Sequence, residues 1–86
     1  MCTYITEKVM VNGSAKGASG WFGVTDASVY FDHPVHAQAG HTLNIDFLRL
    51  ADGPSARVAV ELTADSARAL IKAIESVLDA VPEGME

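Results

Sequence analysis

The sequence contains little cysteine, few basic residues and no long apolar run. Its one cysteine, Cys2, cannot form an intramolecular disulfide, which is typical of a reducing compartment. The chain has 6 Lys and Arg against 11 Asp and Glu, a net charge of −5, and no basic run. Nucleic acid and anionic membranes are therefore not expected as partners. No segment reaches the roughly 20 apolar residues of a membrane span, and the N-terminus lacks a signal-peptide pattern, so we expect a cytoplasmic protein.

The composition and the apolar alternation predict one globular domain over residues 1–86. Hydrophobic residues make up 49% of the chain and charged residues only 20%, which excludes a disordered protein. Alternation with a period of two predicts four strands, over residues 2–12, 27–33, 41–48 and 56–62. Between the first two, closely spaced glycines predict a long loop at residues 13–23, and we expect Trp21 and Phe22 to anchor its far end against the core.

A single helix is predicted after the last strand. Thr63 is the expected N-cap, Asp65 favours the positive end of the helix dipole, and the helix should end near Ala80, before Pro82. Residues 83–86 are expected to fray. The apolar residues recur at helical spacing and form one stripe: Ala67, Leu70, Ile71, Ile74, Val77, Leu78 and Val81.

The order ββββα predicts an α+β fold, a small two-layer domain in which the helix lies on one face of a four-stranded antiparallel sheet. The other face of this sheet is mixed in character. A half-apolar open face is a candidate surface for a homo-oligomer. The residues expected there are Tyr4, Met10, Tyr30, Asn44, Leu48 and Arg57.

All three histidines fall within nine residues, which is the most unusual local feature of the sequence: His33, His36 and His41. In a simple meander, the start of the first strand, the end of the second and the start of the third share one sheet edge, so Cys2 would join them. Imidazole and thiolate suit zinc and copper, and imidazole with carboxylate suits iron. The pattern therefore predicts a divalent transition-metal site in which the three histidines are ligands and Cys2 is an optional fourth.

The nearby carboxylates, Asp32 and Asp46, are candidates for a further ligand or for orienting a ligand imidazole. Two other interpretations stay open at this stage. Either carboxylate, paired with a histidine, is a candidate for metal-free acid–base catalysis. Cys2 is a candidate nucleophile if removal of Met1 exposes its amine. The alternative to all of these is a polar turn with no chemistry.

Three functions are compatible with these features. The first is a small metal-binding protein, in its strongest form an oligomeric metalloenzyme with an unidentified small-molecule substrate. The second is a non-catalytic oligomeric or interaction module that uses the open sheet face. The third is a small-molecule binder under the glycine-rich loop, in which Trp21 and Phe22 form the apolar wall. The residues alone do not decide whether the protein is an enzyme.

Three segments resemble a family of small uncharacterised bacterial proteins, mostly actinobacterial, of about this length. They are the opening Met-Cys-Thr-Tyr-Ile-Thr-Glu-Lys, the Gly-Trp-Phe at residues 20–22, and a block that reads Val-Tyr-Phe-Asp-His-Pro-Val-His-Ala, then His-Thr-Leu-Asn-Ile-Asp-Phe. The resemblance covers nearly the whole chain. It implies no activity, cofactor or catalytic residue, but it includes Cys2 and the three histidines.

Overall fold

A computed structural model describes residues 5–33 and 40–85, apart from the side chains at 54 and 55. Neighbouring strands pair antiparallel in the order β1-β2-β3-β4. The predicted α+β class is therefore confirmed, and the strands form the simple meander on which the shared edge of His33 and His41 depends. The elements, in chain order, are β1 (Ile5–Gly17), β2 (Gly20–Asp32), β3 (Thr42–Leu48), a short 3-10 helix (Leu50–Ser55), β4 (Arg57–Leu62) and α1 (Ala64–Asp79).

The glycine-rich stretch is a β-hairpin, so the loop predicted for residues 13–23 is wrong. β1 continues to Gly17 and β2 begins at Gly20, which leaves a two-residue turn. Gly20 has a φ of 111°, a backbone conformation that glycine adopts without steric cost. The pairing shifts register between Met10 and Gly13, as at a β-bulge. The glycines permit the bulge and the tight turn, while cross-strand hydrogen bonds hold the rest of the segment extended.

Trp21 is not anchored in the core, because its side chain is 71% exposed. Successive strand residues point to opposite faces of a sheet, so Trp21 and Phe22 cannot both enter the same core. Phe22 is half-buried and packs over Gly17, where an added Cβ would lie 3.1 Å from its ring. The hypothesis of a ligand beneath a glycine-rich loop loses its premise, since no such loop exists there.

The N-cap prediction for the helix is confirmed. The Thr63 hydroxyl oxygen accepts a hydrogen bond from the backbone N–H of Ser66 at 3.2 Å. This satisfies one of the N–H groups that the first turn leaves without a helical partner. Asp65 lies in the first turn as predicted. No helix in the described part of the chain is both long enough and apolar enough to span a bilayer.

One face of the sheet is apolar on three adjacent strands. The register aligns side chains in three cross-strand rows: Phe31 with Leu43 and Leu62, Val29 with Ile45 and Val60, and Ala27 with Phe47 and Val58. Despite this, few apolar residues of the described chain are buried, namely Val24, Ala27, Ala56 and Ala67. The small core follows from the position of the helix, which leaves much of this face uncovered.

Candidate functional site

An open cleft of about 600 Å³ lies between the apolar face of the sheet and helix α1. Its sheet wall contains Val29, Phe31, Leu43, Ile45 and Leu62. Its helix wall contains Ala64, Ala67, Arg68, Leu70, Ile71 and Ile74. Arg68 is the one charged residue among these. The helix therefore covers the sheet only in part. The apolar stripe of the helix had predicted a closed core between the two layers.

Most of the apolar stripe of α1 is exposed to solvent. Ala67 is buried, but five larger side chains farther along the stripe are between 43% and 67% exposed. On the edge strand β1, Ile5 and Val9 continue the apolar sheet face and are 68% and 54% exposed. We call these seven residues the open apolar surface: Ile5, Val9, Leu70, Ile71, Ile74, Val77 and Leu78. Large exposed apolar patches commonly mark protein–protein or ligand-binding sites, whereas singly scattered apolar residues do not.

The whole chain exposes more surface than a compact monomer of its mass. Its accessible surface is 6618 Å² for a mass of 9.1 kDa, whereas a folded monomer of that mass exposes roughly 4,900 Å². The radius of gyration is 14.4 Å, against roughly 12 Å for a compact domain of this length. The chain therefore exposes roughly 1,700 Å² more than a compact monomer of this mass.

Two of the predicted metal ligands lie side by side at the expected edge of the sheet. The ring centroids of His33 and His41 are 4.5 Å apart, at an interplanar angle of 31°. His41 also stacks on Phe31, with centroids 5.8 Å apart. The edge forms because the meander brings the end of β2 beside the start of β3.

The tautomer of His33 is set by a backbone carbonyl. Its Nδ1 lies 3.0 Å from the carbonyl oxygen of Gly40. A carbonyl oxygen can only accept a hydrogen bond, so Nδ1 carries the proton in the neutral ring and Nε2 keeps its lone pair. Metal-ligating histidines are commonly oriented by this kind of bond. Asp32 is adjacent, and its Oδ1 accepts the backbone N–H of His33 at 2.7 Å.

The structure does not unite the whole predicted ligand set. Cys2 and His36, like Tyr4 of the expected oligomer surface, lie outside the described residues. Within the described residues, no group of three or more His, Cys, Asp and Glu side chains is arranged to hold a metal ion. Asp46 pairs with Ser28, whereas the edge beside the histidines is the pair Asp32 and Thr42. Four residues of extended strand separate Asp46 from that edge by about 13 Å.

Asp46 instead belongs to a hydrogen-bonded network on the polar face of the sheet. The Tyr30 hydroxyl donates to its Oδ2 at 3.2 Å, and the Arg57 guanidinium donates to its Oδ1 at 3.0 Å. The carboxylate side chain is only 15% exposed, which strengthens both contacts. The network joins β2, β3 and β4, so Asp46 cross-links the sheet.

A second polar pair on this face was missed by the sequence reasoning. Thr42 is fully buried, and its hydroxyl donates to the Asn44 side-chain oxygen at 2.6 Å. The available signal was the spacing of two on one strand, which places both side chains on one face. No buried side-chain nitrogen or oxygen of the described chain lacks a hydrogen-bond partner. These polar groups therefore stabilise the sheet. Its apolar face, by contrast, is only partly covered.

The environment of Tyr30 gives a prediction that spectroscopy can test. Burial raises the pKa of the Tyr30 hydroxyl, and the neighbouring Asp46 carboxylate raises the pKa further. The folded-state pKa therefore lies above the unfolded value of about 10, so this group's contribution to stability is full below that pH and is lost as pH rises through the folded pKa. We expect the phenolate absorbance that Tyr30→Phe removes to appear at a higher pH than that of free tyrosine. Titration at the ordinary pKa would contradict the network.

Comparison with known families identifies the relationship of the chain. Residues 1–86 match DUF6295, a family of unknown function. The chain belongs to this family. No curated protein and no solved structure matches it. Membership of DUF6295 agrees with the resemblance to an uncharacterised family and supplies no activity, so the functional argument depends on the geometry.

Proposed function

We propose that this chain is the subunit of a homo-oligomer in which the open apolar surface is buried against a second copy. The observation that carries the proposal is the exposure of the open apolar surface, whose seven side chains are each between 43% and 68% exposed. Domains of this size bury barely enough surface to be stable even when compact. A chain that leaves a five-residue helical stripe in water gains much of its missing core through association.

The exposed surface is large enough to supply an interface. A stable interface takes roughly 800 Å² from each copy, about half of the roughly 1,700 Å² by which the chain exceeds a compact monomer, and permanent homodimer interfaces are larger. Such interfaces are apolar and resemble a domain core cut in half. The apolar face of the sheet and the apolar stripe of α1, which cover each other only in part, resemble such a divided core.

The proposed contact lies on the opposite side of the sheet from the one that the sequence favoured. The polar face was expected to mediate assembly through Tyr30, Leu48 and Met10. Tyr30 is engaged with Asp46 in the described structure, and Leu48 is half-buried. Met10, at 85% exposure, is the most exposed apolar residue on the described part of that face. More apolar surface is exposed on the side of the sheet that carries α1, which supports that side as the subunit contact.

Sedimentation equilibrium of the untagged chain tests this proposal. We expect twice the single-chain mass of 9.1 kDa, or a higher multiple, at micromolar concentration. The single-chain mass at every concentration would contradict the proposal. A second copy should bury the apolar surface, so the unfolding temperature should also rise with protein concentration.

A second candidate function is metal binding at the histidine edge. The observation that favours it is the pair His33 and His41, with the Nδ1 of His33 held by a carbonyl so that Nε2 is free to bind. We propose zinc, copper or iron, with His36 and Cys2 completing the ligand set and Asp32 in a supporting role. The metal content of protein purified without chelators tests this candidate.

We also propose that the protein acts in a bacterial cytoplasm. The single cysteine of the chain supports a reducing compartment. The acidic net charge of −5 supports the absence of nucleic acid and anionic membranes among its partners. Cell fractionation with antibodies against the chain tests the location, and recovery in the soluble cytoplasmic fraction is the expected result.

A further inference from the structure

The charged residues of α1 form an ordered series beside its apolar stripe. Arg68 and Lys72 come first and Glu75 and Asp79 follow, so the N-terminal half is basic and the C-terminal half acidic. At about 100° of rotation per residue, all four fall within a sector of about 60° on the Ile71 side of the stripe. None of the four forms an ion pair with another described residue.

We propose that two copies pack their α1 helices antiparallel about a two-fold axis near Ile74. The α1 stripe of each copy lies at the seam, and the basic half of one charged series faces the acidic half of the other. This inference rests on the proposed homo-oligomer and names the contact between its subunits. A two-fold axis makes every contact reciprocal, so one self-complementary surface is sufficient.

The spacing of the charges matches this symmetry. In an antiparallel pair, residues that face each other lie equally far on either side of the axis. Positions 68 and 79 are centred between residues 73 and 74, and so are positions 72 and 75. The stripe residues Leu70 and Val77 have the same centre. A single register therefore places Arg68 opposite Asp79 of the second copy and Lys72 opposite Glu75 of the second copy. The same register places Leu70 opposite Val77 of the second copy.

The other flank of the stripe also suits close helix packing. Its residues are small, which lets two helix backbones approach each other. They are Ser66, Ala69, Ala73 and Ala80. A parallel pair would bring like-charged halves together, whereas the antiparallel pair matches opposite charges. Exposed ion pairs contribute little stability individually, so we assign orientation to the charges and affinity to the stripe.

Two double variants test whether the charged series of one copy faces that of the other. Arg68→Glu with Lys72→Glu makes the charged series wholly acidic, and Glu75→Lys with Asp79→Lys makes it wholly basic. Both use strong helix formers and agree with the helix dipole, so α1 should form in each. We expect each variant alone to self-associate at least tenfold more weakly than wild type at low salt, because four attractive pairs become repulsive.

Mixing the two variants supplies the decisive readout. Native mass spectrometry of an equimolar mixture should show heterodimers in clear excess over both homodimers, and the excess should fall at high salt. Lys8→Glu with Lys16→Glu is the matched control. It makes the same charge change on β1 as Arg68→Glu with Lys72→Glu makes on α1, and it should self-associate like wild type.

The contradicting outcomes are distinct. If wild type self-associates but the mixture gives a statistical ratio of dimers, the antiparallel seam is wrong while the homo-oligomer stands. If wild type is monomeric, both proposals fail. If wild type is monomeric and carries a co-purified apolar small molecule, the occupant of the cleft is that ligand and the second copy is excluded.

Discussion

Val77→Lys is expected to convert the oligomer into monomers. Val77 is 67% exposed in the single chain and does not line the cleft. In an isolated monomer such a change should alter the free energy of unfolding by no more than about 0.5 kcal/mol. At the seam it removes one apolar contact from each copy and places a charge there. We expect a loss of about 3–6 kcal/mol of association free energy, or two to four orders of magnitude in Kd.

Sedimentation velocity across a concentration series measures this effect directly. Ser76→Lys is the matched control, since it adds the same charge one residue earlier, on the side of the helix away from the stripe. The control should associate like wild type, and circular dichroism should show intact secondary structure in both variants. A Val77→Lys protein that associates as tightly as wild type would exclude the α1 stripe from the interface.

Replacement of His33 or His41, the two histidines at the sheet edge, is expected to abolish metal binding. Wild-type protein purified without chelators should carry near-stoichiometric zinc, copper or iron, and His33→Ala and His41→Ala should carry none. Each loses an imidazole from a pair whose rings are 4.5 Å apart, and a site with so few ligands does not tolerate the loss of one. His36→Ala tests the third ligand that the sequence predicts.

Fold integrity and ligand specificity are the controls for the metal experiment. Both edge histidines are exposed, so alanine at either position should change the free energy of unfolding only slightly. Glu83→Ala removes an exposed acidic side chain outside the proposed ligand set and should retain the metal. Metal-free wild-type protein, as stable as its variants, would exclude the metal site and leave assembly as the remaining proposal.

The sequence was sufficient to predict the order of the elements, because the relevant signals are local. Period-two alternation identified β3 and β4 to within one residue at each end, but β2 begins at Gly20, seven residues before its predicted start. Thr63 at the start of a helical stripe identified the cap, which depends only on residues within one turn. The strand order was assumed rather than derived, and the structure supplies it as β1-β2-β3-β4.

The hairpin and the open cleft were not predictable by the same rules. Glycine-rich composition is typical of a loop. The segment from Gly13 to Gly23 instead forms a hairpin, which is stabilised by pairing between β1 and β2. The residue pattern of one strand does not show which strand it pairs with. The helix stripe predicted a buried face and said nothing about what buries it. All four strands contribute apolar residues to one face of the sheet, and a single helix of 16 residues is too small to cover that face. This mismatch in size could have indicated the open cleft.

The candidate site was predictable where it depended on strand ends and unpredictable where it depended on position along a strand. His33 and His41 meet because they flank the connection between two paired strands. Asp46 was grouped with them by nearness in sequence, although extended backbone carries it well away from that edge. Its contacts with Tyr30 and Arg57 depend on cross-strand register, which the sequence alone did not specify.

Sedimentation equilibrium of the untagged wild-type chain, from nanomolar to high micromolar concentration, tests the central claim most directly. Burial of the open apolar surface by a second copy predicts a two-fold or higher multiple of the 9.1 kDa chain mass, which dissociates only at the lowest concentrations. A single species of one chain mass throughout, with an unfolding temperature independent of concentration, would contradict it.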